Sequence, residues 1–469
     1  MLLKKKNLIL LVFLSLFLSI AIVSCSKSDT TEEPPVDDDG VGGGGDDGGG
    51  TAGFQGEIDW IRSLGGSNID EAAGIVKSDD NGYVVVGTTS SNDGDIIDKT
   101  GTDSDYWVLK FSETGALLWN KTFGGSNDDV ATDISKTNDG GYIISGYSRS
   151  NDGDVTGNEG FHDYWILKLN ANGDKQWNKT FGFLGSDQAF KVFETKNGGY
   201  LLTGFFDVTA SGGAGNDGRA NGSRHGVGEY WVLRLNTNGD YIWRRYFGGT
   251  NNDRSYDALE TNDGGFLILG SSESNDFDIT DSRGSYDYWI VKLSANGDKI
   301  WTKSFGGTEI ENGYAGTSAG DGNFILVGDS RSTDLDVTNP KGNADLWAVK
   351  FNATGGKIWD KSFGGGQFDT ARSIERLPDG TYLMAGATRS SSGDVSTNNG
   401  ENDAWVVIMD ANGTLVFEKS IGGSNFDFGD DAILAHDGVS ILMVGNTESN
   451  DKDIPQNRGI KDLLIVKLK

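Results

Sequence analysis

The chain has 469 residues, with 69 acidic side chains against 40 basic ones, which gives a net charge of −29. So acidic a surface repels phosphate backbones and argues against nucleic acid as a partner. The single cysteine, Cys25, excludes an intrachain disulfide, and three histidines give poor support to a zinc site or a Ser-His-Asp triad.

Residues 1–25 are predicted to be an export signal that ends at a lipidated cysteine. Three lysines precede the apolar run 7–23, and small residues lead to Cys25. These are the parts of a secretory signal, with an uncleaved anchor helix as the alternative. The ending Ile22-Val23-Ser24-Cys25 resembles a bacterial lipobox. The resemblance implies that Cys25 becomes the lipid-carrying N-terminus and that the protein meets the membrane only through this lipid. We expect an outer-membrane lipoprotein that faces the cell surface or the periplasm.

Residues 26–53 are predicted to be a disordered tether. The segment is rich in glycine and aspartate and has no aromatic residue. Such a composition cannot bury enough apolar surface to offset the entropy of ordering. Asp29, Glu32 and Glu33 resemble the acidic signals that direct lipoproteins of Bacteroidota to the outer face.

Residues 54–469 contain an internal repeat of about 58 residues, marked by tryptophans. Their spacings are 58, 66, 58 and 58 residues, counted along Trp119, Trp177, Trp243, Trp301 and Trp359. Such a period predicts a solenoid or a propeller. The unit from Trp119 contains four short apolar segments, 130–136, 142–147, 164–169 and 175–181, which we name strands A to D. Strand C, YWILKL, is apolar at odd and even positions, which indicates a strand covered on both faces, as in a propeller blade.

Seven sets of strands A, B and C follow one another, and the last has no strand D. The segment 56–66, GEIDWIRSLGG, is a strand D with no partners before it. Joining the two ends completes a seventh blade and removes exposed sheet edges. The sequence therefore predicts an all-β, seven-bladed β-propeller of four-stranded antiparallel blades over residues 54–469, closed by the N-terminal strand (1+3) and monomeric.

Three acids per blade are expected at the face formed by the D–A and B–C loops, which we call the top face. In the second blade they are Asp129, Asp154 and Asp163. Because hard cations need several oxygen ligands, these acids are the candidates for a Ca²⁺ site, and Ca²⁺ is the one cofactor left open. The alternative, favoured by sevenfold repetition, is that the carboxylates accept backbone N–H bonds in glycine-rich turns. A Lys or Arg recurs in strand C and is predicted to pair with an acid of the neighbouring blade.

The third unit departs most from the repeat and is the predicted ligand-binding region. Its D–A loop places Phe183 and Leu184 where other units have glycine and polar residues, and we expect both side chains to be exposed. Its B–C loop, 207–229, is eight residues longer than the others and carries Arg219, Arg224 and His225. These residues are candidates for binding an anionic glycan or a partner's carboxylates, although loops also accept insertions without function.

The pattern FGGS…DGG…SxDGDV…DYWxxKL…W resembles the repeat propeller lipoproteins of Bacteroidota. The turn and strand SANGDKIW also resemble the tryptophan motif of pyrroloquinoline-quinone dehydrogenase propellers, which implies that Trp301 and its equivalents dock one blade on the next. We expect a non-catalytic binding or scaffold module for a glycan or a protein. The alternatives are a glycan lyase or hydrolase at the top face, for which the sequence shows no non-repeated acid–base pair, and a Ca²⁺-stabilised adhesion module.

Overall fold

The protein folds as the predicted seven-bladed β-propeller, with seven four-stranded antiparallel sheets arranged as a ring. The computed structural model describes residues 53–217 and 225–469. The predicted signal peptide with Cys25, nearly all of the tether, and Arg219 and Arg224 lie outside these residues.

Each blade runs from strand A at the channel to strand D at the rim, and the strand bounds match the repeat. Blade 1 contains β2 (Asp70–Lys77), β3 (Tyr83–Thr89), β4 (Asp105–Phe111) and β5 (Leu117–Phe123). Blade 2 contains β6 (Asp129–Lys136), β7 (Tyr142–Ser148), β8 (Asp163–Leu169) and β9 (Lys175–Phe181). Blade 3 contains β10 (Gln188–Glu194), β11 (Tyr200–Phe206), β12 (Glu229–Leu235) and β13 (Tyr241–Phe247). Blade 4 contains β14 (Asp253–Glu260), β15 (Phe266–Ser272), β16 (Asp287–Leu293) and β17 (Lys299–Phe305). Blade 5 contains β18 (Glu311–Ser318), β19 (Phe324–Ser330), β20 (Asp345–Phe351) and β21 (Lys357–Phe363). Blade 6 contains β22 (Asp369–Arg376), β23 (Tyr382–Thr388), β24 (Asp403–Met409) and β25 (Leu415–Ile421).

Blade 7 is built from both ends of the propeller, as predicted. Its strands are β26 (Asp427–Leu434), β27 (Ile441–Thr447), β28 (Asp462–Leu468) and β1 (Ile58–Leu64). Strand β1 pairs antiparallel with β28, with Ile61 opposite Val466. The N–H groups of Gln55 and Glu57 both donate to the carbonyl of Lys469, at 3.1 Å. This pairing closes the ring and leaves β28 without a free edge.

The hydrophobic core lies between neighbouring sheets, which explains why strand C is apolar on both faces. Tyr106 and Trp165 are fully buried between blades 1 and 2, with ring centroids 4.3 Å apart. The Tyr106 hydroxyl donates to the carbonyl of Trp165 (2.9 Å). The same contact joins the next three pairs of blades, through Tyr164, Tyr230 and Tyr288.

The rim tryptophans dock neighbouring blades, as their motif implied. The Trp119 ring lies against Gly173 in the C–D turn of the next blade, where an added β-carbon would be 2.4 Å from the ring. Gly173 also has φ of +74°, so the turn needs glycine both for its backbone conformation and for the close approach of the ring.

The strand C lysines pair within their own blade, so the predicted pairing with a neighbouring blade is wrong. Lys168 is nearly buried, and its Nζ lies 2.9 Å from Asp139 Oδ2 in the A–B turn of the same sheet. The Nζ also donates to the carbonyl of Leu169 (3.0 Å), which holds the ammonium at the end of its own sheet beside the aspartate. Blade 3 has no aspartate in this turn, and Arg234 there donates to the carbonyl of Gly198 instead (2.6 Å).

We expect Lys168→Met to destabilise the protein by about 1–3 kcal/mol, because it removes a charge-assisted bond while keeping the apolar stem. Urea unfolding followed by circular dichroism checks this value. Lys121→Met, which removes the more exposed pair with Asp174, is the matched control and is expected to cost about 0–1 kcal/mol. Equal losses in the two variants would contradict the prediction.

One short helix in the third blade was not predicted. It is α1 (Val208–Ser211), which begins after Asp207, whose carboxylate accepts the N–H of Ala210 as an N-cap. Over the two described ranges, no helix is long and apolar enough to cross a membrane.

Candidate functional site

The top face of the third blade contains the predicted residue Phe183, but its ring is half-buried rather than exposed. It packs 5.8 Å from the ring of Trp231, and the guanidinium of Arg244 lies over it at 5.8 Å. Its neighbour Leu184 is 77% exposed, as predicted. Phe183 therefore has a structural role in the loop, and its part in binding stays a prediction.

His225 lies inside the third blade's loop, beside a buried carboxylate. Its ring stacks on Phe277 at 4.9 Å, and its Nδ1 lies 3.3 Å from Glu229 Oε2. Burial and the nearby charge of Asp253 raise the pKa of Glu229 far above its usual range. Either a protonated Glu229 donates to Nδ1 or the Nδ1–H tautomer of His225 donates to the carboxylate, so a hydrogen bond joins the two side chains. Its proposed partners in binding, Arg219 and Arg224, lie outside the described residues.

The predicted Ca²⁺ candidates act as turn-fixing carboxylates. Asp129 accepts the N–H of Gly125 (2.7 Å) and the hydroxyl of Ser150 (3.0 Å). Asp154 accepts the N–H of Gly124 (3.3 Å), and Asp163 accepts that of Glu159 (2.7 Å). Within 53–217 and 225–469, no group of three or more His, Cys, Asp or Glu side chains is placed to hold a metal ion.

The central channel has a lining that sequence reasoning missed. Each inner strand carries a β-bulge, where the pairing with strand B skips one residue, as at Thr132 in β6. A bulge re-aims a side chain, so two consecutive residues turn towards the channel where strict alternation would provide one. The skipped residues, which we call bulge residues, are Ala73, Thr132, Phe190, Tyr256, Tyr314, Arg372 and Asp430. The residues that follow them, which we call post-bulge residues, are Gly74, Asp133, Lys191, Asp257, Ala315, Ser373 and Asp431.

These residues differ from blade to blade, unlike the rest of the repeat. With the exception of Gly74, they all line a cavity of about 210 Å³ that receives side chains from all seven blades. A feature repeated seven times serves the ring, whereas a lining that changes around the ring can discriminate one ligand from another. The channel cavity is therefore the second candidate site.

Three post-bulge aspartates join neighbouring blades and surround one lysine. Asp133 accepts the N–H of Val192 (3.0 Å), and Asp257 and Asp431 make the equivalent bond to the next blade. Lys191 Nζ lies 3.2 Å from Asp133 and 3.8 Å from Asp257. Burial alone would lower the pKa of Lys191, but the three carboxylates raise it above its usual range. Lys191 is therefore charged at all physiological pH values.

The bulge residues of blades 3 to 6 form a continuous arc of rings and a guanidinium. Phe190 and Tyr256 have centroids 5.1 Å apart, and Tyr256 and Tyr314 have centroids 5.2 Å apart. The Arg372 guanidinium lies 4.0 Å from the Tyr314 centroid, within the range of a cation–π contact. The arc gives one side of the cavity aromatic faces.

The opposite side of the cavity carries two carboxylates of β26. Asp430 accepts a bond from the Asn446 amide (2.6 Å), and Asp431 accepts the N–H groups of Ile75 (3.1 Å) and Ala432 (2.9 Å). Burial raises the pKa of Asp430 to about 6 and that of Asp431 to about 7. Two neighbouring acids with raised pKa values therefore line the cavity, a pair that the repeat alone did not reveal.

Comparison with known proteins gives little beyond the fold. No protein-family model matches the chain, and no curated protein is similar to it. The solved structures that are similar to it include the following three, all at low identity. Hydrazine synthase from Kuenenia stuttgartiensis is 10% identical with a TM-score of 0.47, and the match covers 83% of this chain and 96% of that one. Sqt1 from Chaetomium thermophilum is 10% identical with a TM-score of 0.41, and the match covers 82% and 83%. The Pan2 WD40 domain from Neurospora crassa is 9% identical with a TM-score of 0.45, and the match covers 87% and 95%.

Proposed function

We propose that the protein is a lipid-anchored, non-catalytic binding module that takes a glycan or a protein ligand at the central channel and the adjoining third-blade loop. A β-propeller is a rigid ring of the kind that serves binding and scaffolding generally, although fold alone does not define a ligand. The observation that carries the proposal is the channel lining. Its aromatic arc, guanidinium and carboxylates vary around an otherwise repeated ring and enclose a cavity.

The proposed location rests on the N-terminal sequence. Residues 1–25 have the parts of a lipoprotein signal, with Cys25 as the lipidated residue, and the acidic tether follows. A glycine-rich coil of about 28 residues has an end-to-end distance of roughly 30 Å, which is the reach that the composition of residues 26–53 predicts. We propose an outer-membrane lipoprotein at the cell surface, monomeric and without affinity for nucleic acid.

A glycan array and a pull-down with the full-length protein in detergent micelles test the function. The double variant Tyr256→Leu/Tyr314→Leu is expected to bind at least about tenfold more weakly, because it removes two aromatic faces from the channel. A variant with 211–228 shortened tests the loop separately. Phe426→Leu, at an exposed aromatic residue in the D–A loop of blade 7 and outside the cavity lining, is the matched control and is expected to bind as the wild type does. Binding that survives in both the channel and the loop variants would contradict the proposal.

A glycan lyase or hydrolase is the second candidate, and the pKa values of Asp430 and Asp431 favour it. A general acid or base works best when its pKa lies near the operating pH. The same ligands, incubated with the protein and then assayed for new reducing ends, distinguish the two functions. Release that Asp431→Asn abolishes without loss of binding would establish the enzyme, and no release supports the binding module.

A further inference from the structure

We infer that the channel cavity binds the ammonium group of a lysine side chain presented by a protein partner with a basic surface. This inference rests on the proposed function, because it names the ligand class for the same channel. It is carried by the charge balance of the lining, the empty space beside two acids, the aromatic wall and the size of the cavity.

The lining carries more negative than positive charge. Four carboxylates, Asp133, Asp257, Asp430 and Asp431, face the cavity with Lys191 and Arg372. Lys191 lies within 4 Å of Asp133 and Asp257 and acts on Asp431 from a greater distance, and Arg372 lies on the Tyr314 ring and acts on Asp430 in the same way. In the described part of the chain, no basic side chain lies within ion-pair distance of Asp430 or Asp431. The cavity therefore offers a place for one more positive charge beside β26.

Blade 1 provides the space for that charge. Its bulge and post-bulge residues are Ala73 and Gly74, the smallest pair in the ring. A β-carbon added at Gly74 would lie 3.7 Å from Asp431 Oδ2, so the glycine lies next to this carboxylate. Gly74 itself lies outside the lining, so the space on this side of the cavity is the gap left by the small side chain of Ala73.

The remaining wall suits the carbon stem of a lysine. Long cationic side chains bury their methylene groups along apolar surface while the charged head reaches a polar site. The arc of Phe190, Tyr256 and Tyr314 supplies such a surface opposite the acids. At about 210 Å³ the cavity is smaller than the about 300–1,000 Å³ of pockets for drug-sized ligands, which favours a single side chain over an oligosaccharide.

The charge of the whole propeller favours the same class of partner. Residues 54–469 retain 61 of the 69 acidic side chains and 36 of the 40 basic ones, a net charge of −25. A field of this sign attracts a basic protein surface and raises its association rate, and added salt weakens the effect.

Binding is expected to weaken as the pH falls from about 7 to about 6 and below, because Asp431 and then Asp430 become protonated and a protonated carboxyl group no longer attracts an ammonium group. The charged groups that act on Asp431 are Lys191 and Asp133. Those that act on Asp430 are Arg372, Glu71 and Lys461.

Isothermal titration of the full-length protein in micelles at pH 7.5 with Nα-acetyl-lysine methylamide tests the inference. The norleucine analogue, which lacks the charge, is the matched ligand and is expected not to bind. Asp431→Asn and Ala73→Leu are each expected to weaken lysine binding about tenfold or more, by removing a charge-assisted contact or by filling the space. Ala73→Leu keeps every carboxylate, so the inference stays testable if Asp431→Asn fails to fold. Asp334→Asn, at a top-face turn outside the cavity, should bind as the wild type does.

Equal binding of the lysine and norleucine analogues, or binding of neither, would overturn the inference. Glucosamine is the third probe, and its binding in place of lysine would also overturn it while leaving a glycan-binding module intact. If none of the three probes binds while the glycan array or the pull-down finds a ligand, the lysine pocket is rejected and the proposed binding function is kept. Failure of every assay would reject the proposed function with it.

Discussion

Deletion of residues 54–64 is expected to abolish the native ring and to give aggregated protein. The deletion removes β1, the outer strand of blade 7, and exposes the whole edge of β28. It also removes Ile58 and Ile61, which pack on the core cluster between blades 6 and 7. The loss of a strand with its core contacts is expected to lower the free energy of unfolding by more than about 4–5 kcal/mol, the level that is exceptional for a single substitution. An unpaired edge of this length also pairs with other chains.

Size-exclusion chromatography and a circular dichroism melt check this result. Deletion of 41–50, within the predicted tether, is the matched control and should leave the melting temperature unchanged. A 54–64 deletion variant that remains monomeric and melts within about 2 °C of the wild type would contradict the closure by β1.

The melting temperature is expected to fall as the pH rises from about 5 to about 8, because buried carboxylates meet at every blade junction. At the first junction, Asp105 of blade 1 and Asp129 of blade 2 both face Gly124. Burial raises the pKa of each to about 6. Since these values lie above the unfolded value, the folded state binds more protons between pH 4 and 6. The stability they contribute is complete below the unfolded pKa and is lost as the pH rises through the folded pKa.

The turn aspartates act in the opposite direction at lower pH. Hydrogen bonds from Thr261 and Lys292 lower the pKa of Asp263 to about 2. Its contribution is present above the unfolded pKa and is lost as the pH falls through about 2. Together, the buried carboxylates at the blade junctions and the aspartates of the turns place the maximum of the free energy of unfolding at about pH 4–5.

Differential scanning fluorimetry between pH 3 and pH 9 measures this profile. Burial raises the pKa of Asp163 to about 6, and Asp163→Asn, a neutral isostere, should flatten the alkaline decline by up to about 3 kcal/mol. Asp174→Asn, at an exposed turn, should leave the decline unchanged. A melting temperature that stays constant or rises between pH 5 and pH 8 would show that these acids remain ionised in the folded state.

Much of the fold was predictable because it depends on local patterns. The doubly covered strand C, the glycine turns and the split seventh blade all appear in the repeat, and strand β9 begins and ends where predicted. The partner of Lys168 was predicted wrongly, because side-chain direction along a twisted strand does not reveal which turn lies beneath it.

The channel site escaped prediction for a different physical reason. If successive side chains alternated strictly between the two faces of β6, Thr132 and Asp133 would lie on opposite faces. The bulge instead directs both towards the channel. The available signal was variation: Lys191 and Arg372 stand at positions where other repeats carry small, acidic or aromatic residues. Seven inner strands aligned on this pair of positions would have revealed it.

The tyrosine hydroxyls between blades divide the seven junctions of the ring into two kinds. Tyr106 and its three equivalents tie blades 1 to 5 together through buried hydrogen bonds to tryptophan carbonyls. Blades 5, 6 and 7 carry Leu346, Ala404 and Leu463 at this position, and these side chains have no hydroxyl to donate. Other hydrogen bonds join these blades, such as the one from the Tyr382 hydroxyl to the carbonyl of Ala319 (3.1 Å) between blades 5 and 6. The ring is therefore held by one repeated bond over four junctions and by individual bonds at the three junctions nearest its closure by β1, so a single substitution can weaken each of those three separately.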